Sequence, residues 1–281
     1  MPREIEPPSV QKEFLESALA EGKRLDGRLP LEQRKFTLTF GAELGSVECR
    51  LGKTAVLAQV TATIVKPRDD RPYEGFLQIT SEISPMASSV FEAGRASEDE
   101  VMITRLLEKS IRRTEAVDRE ALCIVAGEKV WHLRLTLHFL SVAGNLLDCA
   151  SLAAMAALRH FRKPELEVLG DETIVHSPDE RAPVPLAIHH TPLCLTFAYF
   201  EGLQPILDPS HIEEILAAGT MTITLNAQRE LCVLSKAGGS PLSVDDVMDV
   251  VRVGVERVRE NVKTIEEALE NDKKSRVVEV L

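Results

Sequence analysis

Arg105, Lys109, Arg112 and Arg113 place four cations within nine residues of a chain whose formal net charge is -11. They lie in FEAGRASEDEVMITRLLEKSIRRT, residues 91–114, which reads as a Gly-containing loop followed by a helix. Ile103, Leu106, Leu107 and Ile111 recur at helical spacing and form an apolar stripe. The cations fall on another face, because residues three and four apart are neighbours on a helix. Two chemistries fit such a stripe: a solvated face partly neutralised by Glu108, or a track for the phosphates of a nucleic acid.

Other candidate chemistry is weaker. LGKTAV at 51–56 has part of a phosphate-binding loop, but that motif needs a glycine at position 47, where valine stands. Gly52–Thr54 therefore reads as a hairpin turn. His189 and His190 are adjacent, and on a strand neighbours point to opposite faces, so they do not chelate one metal. His211 with Glu213 resembles half of a deaminase motif, but no Pro-Cys-x-x-Cys follows. Asp69 and Asp70, and Glu98 to Glu100, are carboxylate clusters that read as solvated loops rather than magnesium ligands. Asp148 opens an alanine-rich helix, where free N–H groups and the helix dipole favour a capping carboxylate. Spacing identifies no Ser-His-Asp set and no Cys-His pair.

These residues need elements to hold them. A short helix is expected at 9–22, with Ser9 as N-cap and Phe14, Leu15 and Leu19 inward, followed by a turn at RLDGR, 24–28. Strand-like runs at 35–40, 46–51 and 55–65 are broken by glycines. The polar loop 66–75 leads to a strand at 76–83 and then to the cationic helix. A second β block, 122–126 and 129–140, precedes a helix at about 147–161 that Pro164 ends. Beyond 165 come short strands at 165–169 and 173–176, a turn at SPDERAPVP and an apolar strand at 186–200. A short helix near 210–217, strands at 220–226 and 229–235 and a last helix at 243–271 follow, with 272–281 read as loose. The pattern is α+β, with two similar βα units joined near 180–188.

Length and composition bound the function. A chain of 281 residues with 44% hydrophobic and 4% aromatic residues buries a Val-, Leu-, Ile- and Ala-rich core. The acidic balance, 33 basic against 44 acidic residues, argues against a free-standing nucleic-acid binder but leaves room for one local basic strip. Cys49, Cys123, Cys149, Cys194 and Cys232 are scattered, odd in number and form no C-x-x-C pair, so neither zinc nor a disulfide framework is expected. With no secretory signal and no long apolar span, the chain is expected inside the cell, away from membranes.

RLDGR, VAGEKVW at 125–131 and GNLLDCASLAAMAAL at 144–158, set in this strand–helix order, resemble the RNase PH family of phosphate-dependent 3′-exoribonucleases and their ring-forming relatives. TSEISPMASS (80–89), SEDEV (97–101), LEKSIRR (107–113), HFRKP (160–164), VPLAIHH (184–190) and SKAGG (235–239) narrow the likeness to a eukaryotic ring subunit of the RNA exosome. The resemblance implies two βα units of the ribosomal protein S5 domain 2-like type. These would be residues 30–165, preceded by the helix at 9–22, and 186–271 with the long C-terminal helix. It also implies partners: other RNase PH-like ring subunits, S1/KH-type cap proteins, hydrolytic nucleases reached through the complex, and single-stranded RNA. Nuclear, nucleolar and cytoplasmic locations follow from it, and no cofactor or metal is expected.

Active members of the family grip phosphate with an arginine in a G-T-R-T-type turn and carry two aspartates six apart in the second unit. Here the turn reads Gly144, Asn145, Leu146, Leu147, Asp148. By the resemblance Leu147 takes the arginine's place, and an alkyl group cannot hydrogen-bond an anion. The stretch 213–226 holds no aspartate, and Asp208 and Glu214, six apart, lie too early in the chain. Both halves of the phosphorolytic machinery are thus expected to be missing, which makes this a non-catalytic subunit; the rival is an exoribonuclease with a modified site. The resemblance implies that in such subunits the cationic helix faces the neighbouring subunit and the RNA path, so Arg105, Lys109, Arg112 and Arg113, with Arg95 in the preceding loop, become the expected RNA contacts, the alternative for one of Arg112 and Arg113 being a pair with an acidic residue. No aromatic platform stands beside them, which favours sequence-independent threading.

Overall fold

The computed structural model describes residues 9–92, 94–169, 172–176, 180–236, 238–239 and 241–277. Two sheets and an alanine-rich helix between them position everything discussed below. After α1 (Ser9–Ala20), the first unit runs β1 (Phe36–Phe40), β2 (Ser46–Leu51), β3 (Thr54–Val65) and β4 (Phe76–Ile83). Then come α2 (Glu98–Leu107), which continues as a π-helical turn over Glu108–Arg112, then β5 (Cys123–Val125), β6 (Lys129–Ser141) and α3 (Leu146–His160). Short pairings follow: β7 (Arg162–Lys163), β8 (Leu166–Leu169), β9 (Glu172–Val175) and β10 (Val184–Pro185). The second unit holds β11 (Leu193–Tyr199), β12 (Ile206–Leu207), α4 (His211–Leu216), β13 (Gly219–Leu225), β14 (Leu231–Lys236) and α5 (Val244–Val277).

The first sheet is ordered β1-β2-β3-β6-β4, antiparallel except where β4 lies parallel to β6, with β5 paired to β6 as well. Its core face is a period-two pattern: Leu133, Leu135, Leu137 and Phe139 of β6 are all fully buried. The second sheet is ordered β12-β11-β13-β14. Helix α3 packs on β2 and β3 of one sheet and on β11 of the other. Ala150, Ala153, Ala154, Ala156 and Ala157 are fully buried, because a helix enclosed on all sides must present small apolar groups all round. Its N-terminal turn therefore sits where the two units meet.

Three expectations change. Phe14 is 62% exposed, since Leu15 and Leu19 alone face the small core formed with Phe200 and Ile206. The apolar run 186–200 is strand only from Leu193; Pro192 has no N–H to give the ladder. Residues 186–192 are instead tied to the loop after the π turn, through His189 N–H to Ala116 O and Asp118 N–H to Ala187 O. Helix α5 runs on to Val277, beyond the expected end at 271. Arg276 holds that last turn by donating to the carbonyls of Gly41 and Ala42 and to Asp272. Of the expected loose tail, 278–281 lie outside the described residues, as do parts of the turns at 177–179, Ala237 and Ser240.

Candidate functional site

The cationic helix is anchored before it is charged. Ser97 caps α2 by accepting from Glu100 N–H, and the Glu100 carboxylate accepts in return from Ser97 N–H and reaches across to Ile83 N–H at the end of β4. Ile103, Leu107 and Ile111 are buried to 1% or less, so the expected stripe does face the core, while Leu106 is only half-buried. Arg95, Arg105, Lys109 and Arg113 are exposed. Arg112 lies lower on the surface and pairs with Glu108 at 3.6 Å.

The π turn is a feature that helical periodicity does not reveal. Arg113 N–H donates to Glu108 O and Ala116 N–H to Ile111 O, each five residues back. Each residue in such a turn advances less than the usual 100°. Arg113, at the end of this turn, lines a cleft with Arg112, apart from Arg105 and Lys109. Thr114, whose hydroxyl donates to Ser110 O, and His190, 3.1 Å from that hydroxyl, hold the end of the turn. His190 thus has a structural partner, and His189 is exposed, 4.0 Å from Asp118.

At the start of α3 the chain turns through Gly144 (φ +90) and Asn145 (φ +53). A Cβ on Gly144 would lie 2.3 Å from His211 N, so only glycine lets the two units approach this closely. Asn145 gathers three carboxylates. Its side-chain amide donates to Asp148 at 2.7 Å and to Asp208 at 2.6 Å, and its backbone N–H donates to Glu214 at 2.8 Å. Asp208 also accepts three bonds from Arg34, through the backbone N–H (2.9 Å), Nε (2.8 Å) and Nη2 (2.7 Å), and one from Arg28 at 3.0 Å. Asp148, fully buried, accepts from the backbone N–H and the hydroxyl of Thr196. Beneath this cluster Arg24 and Glu213, both buried, form a bidentate pair.

The electrostatics follow from burial. Loss of water raises Asp148 to about 7 against the pull of Asn145 and Thr196, and the charge on Asp208 adds to the rise. Burial likewise raises Glu214 to about 7, only partly offset by Asn145 N–H and the charge of Arg34. Burial pushes Asp208 the same way, but hydrogen bonds and charge from Arg34 more than reverse it and hold this carboxyl below its usual range.

Two expectations are corrected here. Asp148 is not the expected helix cap: it accepts from Asn145 and Thr196 and so ties α3 to β11 of the second unit. Asp208 precedes the stretch 213–226 and Glu214 stands near its start, and the fold brings both to Asn145 in the turn before α3. Leu147 is 6% exposed and packs in the core, so the side chain that faces the turn is Asn145. Three carboxyl groups thus line the turn, and one of them, Asp208, is engaged by Arg28 and Arg34.

Arg24, Arg28, Arg34, Thr196 and Asn145 are the residues that sequence reasoning did not assign. Arg24 and Arg28 flank the RLDGR turn that was read only as a turn, and their alternation with Asp26 was the available signal. Gly52–Thr54 is the β2–β3 hairpin turn as expected. Among the described residues no group of three or more His, Cys, Asp or Glu side chains is arranged to hold a metal, and no helix is long and apolar enough to cross a membrane. The five cysteines are free thiols.

Comparison with known proteins bears on the whole chain. Residues 32–164 match the model of the 3′ exoribonuclease family, domain 1, and residues 190–257 match that of domain 2. A Schizosaccharomyces pombe protein, exosome complex component rrp45, is 43% identical over 100% of this chain and 97% of its own length. The human exosome complex component RRP45 is 43% identical over 95% of this chain, which spans only 61% of that longer relative. Among solved structures, a chain of the Archaeoglobus fulgidus exosome with RNA bound to the active site superposes with a TM-score of 0.80 at 27% identity, covering 91% of this chain and 98% of the other.

Proposed function

The chain belongs to the 3′ exoribonuclease (RNase PH) family, and from that membership we propose that it is a non-catalytic ring subunit of the RNA exosome core. It supports 3′-to-5′ RNA processing and degradation by shaping the RNA channel and by binding neighbouring ring and cap subunits, in the nucleus, the nucleolus and the cytoplasm. The single observation that carries the silent-site reading is the engagement of Asp208 by Arg34, Arg28 and Asn145. The guanidinium nearest the α3 turn is engaged by an internal carboxylate, and Asp148 and Glu214 stand beside it, so inorganic phosphate meets carboxylates there and an arginine already held. RNA contact falls to Arg95, Arg105 and Lys109, which are exposed along one side of the α2 segment and its loop. Arg112 and Arg113 turn into a cleft that they share with carboxylates.

The test is direct. The purified chain, alone and reconstituted with its neighbouring ring subunit, is incubated with single-stranded RNA, magnesium and inorganic phosphate. No nucleoside diphosphate should be released by the chain alone, and substitutions at Asn145 or Asp208 should not alter any release by the pair. Release by the isolated chain establishes the rival reading, a phosphorolytic exoribonuclease with a modified site.

A further inference from the structure

A cleft of about 400 Å³ opens between the loop 66–75, the first residues of β4 and the end of the π turn. Five arginines line it: Arg68, Arg71, Arg112, Arg113 and Arg119. Asp70, Glu74 and Glu115 stand among them, and a second cleft that shares Glu74, Glu115 and Arg119 adds Asp118 and Glu120. The two together are charge-balanced, unlike the line of Arg105 and Lys109. Arg119 reaches Glu74 at 2.8 Å and Glu115 at 3.7 Å, Arg71 reaches Glu74 at 3.2 Å, and Arg112 is held by Glu108. Arg68 and Arg113 make no ion pair among the described residues; Arg68 lies 5.6 Å from the centre of the Phe76 ring.

This composition suits a protein partner better than a polyanion. A phosphate chain entering the cleft passes a run of carboxylates that repel it and meets arginines already held by them. A peptide carrying a few carboxylates meets two unpaired guanidinium groups, and arginine with aromatic side chains is the usual make-up of a protein interface. Tyr73, 64% exposed, stands on the same loop. β4 is the last strand of its sheet, and Phe76 and Leu77 at its start line the cleft beside Arg119, whose carbonyl accepts from Gly75 N–H. We propose that this cleft docks a carboxylate-bearing segment of a neighbouring subunit of the assembly, with Arg68 and Arg113 gripping its carboxylates. The proposal rests on the ring-subunit reading.

The experiment uses the reconstituted complex with a benzoylphenylalanine photo-crosslinker in place of Tyr73. The expected product is a link to an Asp- or Glu-bearing peptide of another subunit, read by mass spectrometry. A link to RNA in the RNA-loaded complex, or links within this chain alone, overturns the proposal. The double substitution Arg68→Glu with Arg113→Glu should weaken association with the cross-linked subunit at least about tenfold while RNA affinity holds. Reversing the partner's carboxylate to lysine should restore it. Arg68→Gln with Arg113→Gln must move association the same way, which guards against a folding defect, as does an unchanged melting curve. Arg105→Glu with Lys109→Glu should do the opposite, lowering RNA affinity and sparing association. If the charge-reversed cleft associates normally, the docking proposal fails and the ring reading stands; if the wild-type chain enters no ring complex, the ring reading itself fails.

Discussion

Removing the Asp208 carboxylate should strongly damage the junction of the two units. Asp208→Ala deletes acceptors for three Arg34 bonds, one Arg28 bond and one Asn145 bond, all between 2.6 and 3.0 Å, at a side chain with no solvent exposure. Breaking a buried charge pair by removing one partner costs about 3–5 kcal/mol, because the other charge stays buried and unmatched. Arg28 and Arg34 keep 12% and 13% side-chain exposure, so water relieves part of that, and the lower end, about 3 kcal/mol, is expected. At roughly 2–4 °C per kcal/mol for a chain of this size, the melting temperature should fall by about 6–12 °C. The assay is urea unfolding followed by circular dichroism, run as a double-mutant cycle with Arg34→Ala. If Asp208 and Arg34 act as one unit, the double variant should be far less damaged than the sum of the singles, with a coupling of about 2 kcal/mol or more. A loss below about 1 kcal/mol for Asp208→Ala, or additive singles, would refute the view that this carboxylate latches the two units.

Four further outcomes are expected. Asp148 and Glu214 sit at about 7 against 3.8 and 4.5 when free, so the folded chain binds extra protons between those values and about 7; their burial costs nothing below the unfolded values, grows as pH rises through that window and is complete above about 7. Melting temperature should therefore fall between about pH 4 and 7, and Asp148→Asn with Glu214→Gln should flatten the slope, whereas the Asp208 contribution is present above 3.8 and is lost as pH falls through its depressed folded value. Gly144→Ala should lower stability by about 2–4 kcal/mol in the same urea assay, since the added methyl meets the α4 backbone at a positive φ. Leu147→Arg should create no phosphorolysis in the diphosphate-release assay, because position 147 faces the core and the turn keeps its carboxylates. Arg105→Glu with Lys109→Glu should reduce the slope of log affinity against log salt by about 1.4 for two lost single-strand phosphate contacts, measured by fluorescence anisotropy on the assembled complex.

Local pattern was enough for most elements. The 3.6-residue recurrence of Ile103, Leu107 and Ile111, the alternation along 129–140 and the alanine run at 150–157 each fix one buried face, because the period of a helix or strand is a property of the backbone and not of its neighbours. The cationic stripe was legible for the same reason. The π turn was not: whether a helix closes its bonds four or five residues back depends on what grips its end, here Thr114, His190 and the segment 186–192. Nor was the junction. Asp208 and Glu214 lie some sixty residues from Asn145 in the chain and Arg34 more than a hundred, and nothing in their spacing shows that they converge. Sequence by itself determined the family, the order of strands and helices and the charge carried by α2. Only tertiary packing decided which carboxylates were buried together and that an internal asparagine and three arginines occupy them, since protonation and pairing energies depend on distance and on excluded water, neither of which is written along a single strand or helix.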